Sequence, residues 1–411
     1  MTAITVDAGL QPRRSFQEVW VISLGHALTH WYPGTFYLLL PLIGKELGLS
    51  YSEIGSVLTC QYLAGAIANI PGGIFVDSVG RKGLLMAVSL FWIGFPYLMM
   101  GAAHAYWMIL SCATLVGIGN NLWHPSAISW LANRFPQRKG LVMSIHSMGG
   151  NVGDAVAPLV AGALLGVLSW RDVVVVNVLP GMLLAVFIML YLGRKQSVDR
   201  DAGLADTAPW AISGVERLRM FGALLKNRAL ITLAAGSAFR TMTQGALLIF
   251  LPLYLGRAMG YPPLWTGACM FALQAGGFIA APIAGHLSDT IGRRQIIVSS
   301  MSMSAVVILL MIFAGGTGWF VLFVSLLGFF LFAVRAVLQA WVLDATPRAM
   351  GGSAIGLLFA NQAFGQAVGP LSAGIVADHY GLMGAFYFLA TTIVIANFLV
   401  FLTPAGLIKR G

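Results

Sequence analysis

Charge is scarce in this chain. Of its 411 residues, 9% are charged, where a soluble domain carries about a quarter. That shortage excludes an ordinary water-solvated domain and makes lipid the main solvent. Cysteine is rarer still. Cys60, Cys112 and Cys269 all fall in apolar stretches, so no disulfide framework is expected. Acids number 14 against 24 Lys and Arg; the resulting charge of +10 follows membrane topology, as shown below, and no nucleic acid is expected as a partner. A phosphate-cradling GxxxxGK[ST] loop is also missing, so nucleotide hydrolysis at such a loop is not expected. No cofactor is expected.

What the chain does have is long apolar runs. Stretches of about 20 such residues span a bilayer as helices. Twelve occur, at roughly 16–43, 52–76, 83–103, 106–131, 141–166, 172–194, 229–256, 264–288, 296–314, 318–345, 353–377 and 382–405. With both termini in the cytoplasm, 19 of the 24 Lys and Arg fall in cytoplasmic segments, as the positive-inside rule requires. Only Lys45, Arg171 and Arg257 lie outside, while Arg240 and Arg335 lie within spans. The reading is a multi-pass protein of the inner membrane, monomeric, in contact with lipid. The opening "RRSFQEVW" has a twin-arginine look, but the apolar segment after it is too long and lacks a small-residue cleavage site, so a retained first helix is expected.

The chain also repeats itself. Gly73, Asp77, Gly80 and Arg81 in "GGIFVDSVGRKG" recur as Gly285, Asp289, Gly292 and Arg293 in "GHLSDTIGRR", 212 residues later. The same displacement carries Gly140, Gly153, Pro158 and Gly162 onto Gly352, Gly365, Pro370 and Gly374. Two landmarks with one displacement mean two six-span halves, a plan common among transporters. The expected division is residues 1–193, a polar cytoplasmic linker at 194–228, and residues 229–411.

The repeated loop resembles the signature between the second and third helices of the major facilitator superfamily. That resemblance implies an all-α integral membrane fold of two pseudo-symmetric six-helix bundles. Physically, Asp77 or Asp289 could accept from exposed amides of a neighbouring helix N-terminus while Arg81 or Arg293 holds the loop at the cytoplasmic face, giving these eight residues a role in conformational gating. Within the superfamily, "HPSAISWLANRFPQRKGLVMSIHSMGGNVGDAVAPL" (124–159) is similar to the fosmidomycin-resistance branch, as is His26 in the first span. Four residues on, where that branch carries an acid, this chain has His30.

Polar groups at membrane depth cost about 2.5–3.5 kcal/mol when charged and usually face the bundle interior. His26 and His30, four apart, share a helix face. At similar depth stand Asn121 and His124, Asn151 and Asp154, Arg240 and Gln244, Arg335 and Gln339, and Asn361 with Gln362. The resemblance implies that the first, fourth, seventh and tenth helices line a central cavity, making His26, His30, Asn121, His124, Asn151, Arg240, Gln244, Arg335, Gln339 and Asn361 the expected substrate-binding set. Simple helix bridging is the blander reading for Asn151, Asn361 and Gln362, at about 0.6 kcal/mol per contact. His146, nearer the cytoplasmic end of its span, reads as structural, and the glycines as close-packing devices.

Arginine stays charged and its fork suits carboxylate or phosphate, yet Asp154 is the one acid at that depth to set against Arg240 and Arg335. An anionic solute would complete the balance. Imidazole titrates near physiological pH, which makes His26, His30 and Asp154 the expected proton-coupling group. Four histidines with Asp154 also admit a metal site, but no dense histidine cluster appears in the sequence, so neither metal nor enzyme is expected. The function expected is secondary active transport of a small anionic or amphipathic organic solute, by alternating access and proton-coupled export. Proton-coupled uptake is the alternative, and a membrane metalloenzyme or a non-transporting receptor are the other readings.

Overall fold

The computed structural model describes residues 16–79, 81–120, 122–201, 222, 224, 226–346 and 351–404. Their regular structure is helical throughout. In chain order the α-helices are α1 (Gln17–Glu46), α2 (Tyr51–Val79), α3 (Lys82–Met100), α4 (Tyr106–Asn120), α5 (Trp123–Arg134), α6 (Lys139–Leu164), α7 (Trp170–Asp201), α8 (Arg228–Leu253), α9 (Pro263–Ile291), α10 (Arg293–Ala314), α11 (Trp319–Asp344), α12 (Gly351–Tyr380) and α13 (Leu382–Phe401). Counting α4 and α5 as one crossing gives the twelve expected spans.

Local chemistry sets several of these boundaries. Ser50 and Glu53 form a reciprocal capping box ahead of α2, each side chain taking the other's backbone N–H. The Asn227 side chain caps α8 by accepting from the amides of Ala229 and Leu230. Gly292 is the lone connector between α9 and α10, and its φ of +114° is one that only glycine adopts at low cost. The fourth span, expected as one run at 106–131, is described in two parts, Tyr106–Asn120 and Trp123–Arg134, on either side of Asn121, which lies outside the described residues. The sixth span runs further than expected, so the segment 194–201 is helical.

By length and composition, seven of the described helices could cross a membrane unaided: α3, α7, α8 with the π-helical turn Tyr254–Ala258 after it, α9, α10, α11 and α13. The others, including α1, α2, α6 and α12, are diluted by the glycines, prolines and polar groups that let helices meet at close range.

The helices pack as two like bundles. In the first, α1 lies on α6, α2 on α4, and α3 on α7; in the second, α8 lies on α12, α9 on α11, and α10 on α13. Between bundles, α2 meets α12 and α6 meets α9. These seams lie at the face remote from residues 17 and 401, here the far face. A Cβ on Gly162 would strike the Pro263 carbonyl, and one on Gly267 the Pro158 carbonyl. At the 212-residue displacement, Gly374 abuts Tyr51 and Gly55 abuts Pro370. Small residues let backbones approach this closely in a membrane. Polar contacts reinforce the far face: Thr59 donates to the Ala367 carbonyl and Arg257 to the Pro41 carbonyl, while the Asp378 carboxylate takes the free amides of Tyr51 at 2.7 Å and Ser52 at 2.9 Å.

Candidate functional site

The motif "GGNVG" of α6 brings the site together. Side chains on Gly149 or Gly153 would collide with the α1 carbonyls of Ser23 and Ala27, so their absence lets α6 lie directly on α1. Four histidines converge where these helices meet α5. The His26 and His146 rings stack with centroids 4.0 Å apart and planes within 12°. His26 also meets His30 at 4.7 Å and His124 at 5.1 Å, both edge-on. His146, read from the sequence as a structural residue near the end of its span, is 4% exposed and belongs to this group. The missing dense cluster is therefore made by packing three segments that lie far apart in the chain.

Within the group the two α1 histidines differ. His26, 7% exposed, donates from Nδ1 to the His146 carbonyl at 2.6 Å. His30 donates from Nδ1 to Asp154 Oδ2 at 2.9 Å, and both side chains of that pair are about 30% exposed. Geometry thus pairs Asp154 with His30 and leaves His26 turned away from it. Nor does Asp154 neutralise the arginines.

Arg240, on α8, is 1% exposed. One Nη donates to the Leu331 carbonyl of α11, Nε has no partner, and among the described residues no carboxylate pairs with it. Arg335, on α11, is exposed and makes no hydrogen bond or ion pair among the described residues. It lies within electrostatic reach of both Arg240 and His124, so α11 carries the positive charge toward the histidines.

The remaining expected residues divide. Asn151 is exposed and precedes Asp154 by one turn. Gln244 and Gln339 are half-buried with no hydrogen-bond partner among the described residues. Asn361 donates back to its own helix at the Leu357 carbonyl. Gln362 bridges to Ser237 of α8 at 2.7 Å, the helix-bridging role. Asn121 lies outside the described residues.

At the gating loops, Gly80 lies outside the described residues, as do the Asp77 side chain and the surroundings of Gly73. Arg81 is exposed, and Gly285 borders open space. The expectation that Asp289 accepts from a neighbouring helix's amides is corrected: it pairs with Arg293, the first residue of α10, and Arg293 also reaches Asp344 Oδ2 at 3.2 Å and the Ser288 hydroxyl. The carboxylate meets the guanidinium first because Gly292 turns Arg293 back over the end of α9.

Two polar centres escaped the sequence reading. Glu18, whose side chain is 1% exposed, is held by Trp130, Arg134 and Lys195; a lone acid at the start of α1 gave no hint that three partners would gather on it. Asp378 was equally silent, since its partners lie more than 300 residues away.

The Major Facilitator Superfamily profile matches residues 22–280 and 266–410. The chain is 24% identical over 373 residues to the fosmidomycin resistance protein of Escherichia coli, covering 89% of this chain and 88% of that one. It is 23% identical over 430 residues to the phosphoglycerate transporter protein of Salmonella typhimurium, covering 97% and 90%. Among solved structures, a bacterial homologue of the human lysosomal transporter Spinster, in an inward-facing and occupied conformation, superposes with a TM-score of 0.77 at 16% identity over 96% of this chain and 97% of that one.

Proposed function

Because the chain belongs to the major facilitator superfamily, a family of transporters and not of enzymes, we propose that it moves a small organic anion across the inner membrane by proton-coupled alternating access. The observation that carries the anion is Arg240: a guanidinium 1% exposed, with a free Nε and no carboxylate paired with it among the described residues. A permanently charged fork in a dry site stabilises the protein only when an anion completes it. A relative named for phosphoglycerate agrees with a phosphate- or carboxylate-bearing solute.

His30 and Asp154 supply the proton-responsive pair, being in contact and open enough to exchange with water. With the termini in the cytoplasm, the far-face seams are the contacts that hold the two bundles together on the outside. Arg293, with Asp289 and Asp344, and the matching loop at Asp77 and Arg81 then govern the swing between conformations; Arg293→Ala slows exchange and leaves ligand affinity unchanged. A relative named for fosmidomycin resistance favours export.

The test is thermal stabilisation of purified protein by phosphonates, carboxylates and neutral amphiphiles, followed by flux of the best ligand in proteoliposomes under an imposed proton gradient. Anions should stabilise and move against their own gradient when protons flow the other way. Stabilisation by neutral amphiphiles alone sinks the anion reading, and co-directional flux replaces export by uptake.

A further inference from the structure

We propose that His26, His124 and His146 form a binding site for a transition-metal ion of the imidazole-seeking kind, such as Zn²⁺, Co²⁺ or Ni²⁺. The inference goes beyond solute transport, using histidines that the His30–Asp154 pair leaves free. One ring nitrogen from each of the three lies within 4.8 Å of one from each of the others. Tetrahedral ligation at 2.0–2.1 Å draws nitrogens to about 3.4 Å, so the rings need to close by little more than 1 Å.

Three observations support ligation over packing. First, the His146 carbonyl can only accept, so His26 Nδ1 carries the proton and the neutral ring keeps its lone pair on Nε2. That nitrogen is buried without a partner. A metal-bound histidine characteristically donates its other N–H to a carbonyl or carboxylate, which fixes the tautomer; His26 is already arranged so. Second, both ring nitrogens of His146 are buried and unpartnered. No hydrogen bond holds that ring, and turning about its side-chain bonds brings a nitrogen toward the other two. Two orphaned buried acceptors, His26 Nε2 and the unprotonated nitrogen of His146, are costly side by side; a cation between them removes the cost. Third, Gly150 keeps the space open, since a Cβ there would stand 2.7 Å from His26 Cε1 and 3.1 Å from its Nε2. Three imidazoles leave one position of a tetrahedron for water. Asp154, beside His30, favours a dication nearby, and Arg335, in electrostatic reach of His124, opposes it.

The experiment uses the full-length protein in detergent, freed of any affinity tag and stripped with chelator, titrated with Co²⁺ and followed by visible absorption, with Zn²⁺ as competitor. Binding is read without transport, so its failure leaves the transport proposal standing and the reverse also holds. One equivalent of Co²⁺ with the strong absorption of a tetrahedral site is expected, displaced by Zn²⁺. His26→Gln and His124→Gln each weaken it at least tenfold, Arg335→Gln tightens it several-fold, and replacing His104, His286 and His379 together by Gln leaves it unchanged. The triple variant keeps the test decisive if a cluster variant misfolds. Absence of a saturable equivalent, wild-type affinity in His26→Gln with His124→Gln, or loss of binding in the triple variant would overturn the site.

Discussion

The two halves share a backbone plan and differ in chemistry. At the 212-residue displacement, His26, His30, His124, His146 and Asp154 of the first half stand opposite Ala238, Met242, Ala336, Leu358 and Gln366 of the second. Conversely, Arg240 and Arg335 stand opposite Leu28 and Trp123. The first bundle holds groups that can change charge, and the second holds charge that cannot change. What the halves retain in common is what moves: matched glycine seams, Gly162 with Gly374 and Gly267 with Gly55, and matched loops. The duplication preserved close backbone packing because a rocking pair needs both seams to open together; nothing required both halves to carry the same site.

The strongest way to break this comparison is to remove the titratable half. Asp154→Asn should cut gradient-driven accumulation by about 5–150-fold, the usual range of coupling between two bound species, while solute exchange without a gradient continues. Gln366→Asn, at the matching position, should leave accumulation intact. Equal losses from both variants in proteoliposome flux would show that the halves do not divide the work.

Removing fixed charge should act on a comparable scale. Arg240→Gln is expected to weaken anionic ligands by about 1.5–3 kcal/mol, the value of a hydrogen bond to a charged group, with neutral ligands bound as before. Lysine at 240 should rescue poorly because it lacks the planar fork. Calorimetry with one charged and one neutral ligand of the same size decides the matter; parallel losses would mean that Arg240 only supports the fold.

The seams allow the symmetry itself to be sharpened. Gly55→Ala and Gly267→Ala each put a methyl against a backbone carbonyl, and overpacking of this kind costs about 1–3 kcal/mol. Both should shift the protein toward the conformation open at the far face, to a similar extent, as read by labelling of cysteines placed at that face. The smallest effect belongs to a polar contact that symmetry does not repeat. Asp378 caps the amides of Tyr51 and Ser52, whereas the matching helix begins at Pro263, which has no N–H to offer. Asp378→Asn should shift the same labelling equilibrium by about 0.5–2 kcal/mol, as loss of a cap does. No change would mean that the glycine seams alone hold the far face.

Hydropathy, the placement of lysine and arginine, and the doubled Gly-Asp-Gly-Arg loop were sufficient for the class of protein, its twelve crossings and its two halves. These are properties of spacing along the chain, and in a membrane an apolar run of the right length can satisfy its backbone in one way only, as a helix. Pairings across the chain were another matter. His26 meets a carbonyl 120 residues away and His30 an acid 124 residues away, and helical spacing put both rings on one face without showing which would reach Asp154. Likewise, His146 looked peripheral until α6 lay against α1, and Asp378 had no visible partner until the far face closed. Helix crossing angles and depths decide such contacts, and those depend on where glycine lets two backbones touch. The motif showed that the glycines were there; only the packed bundle showed which carbonyls they admit and which side chains are thereby brought together.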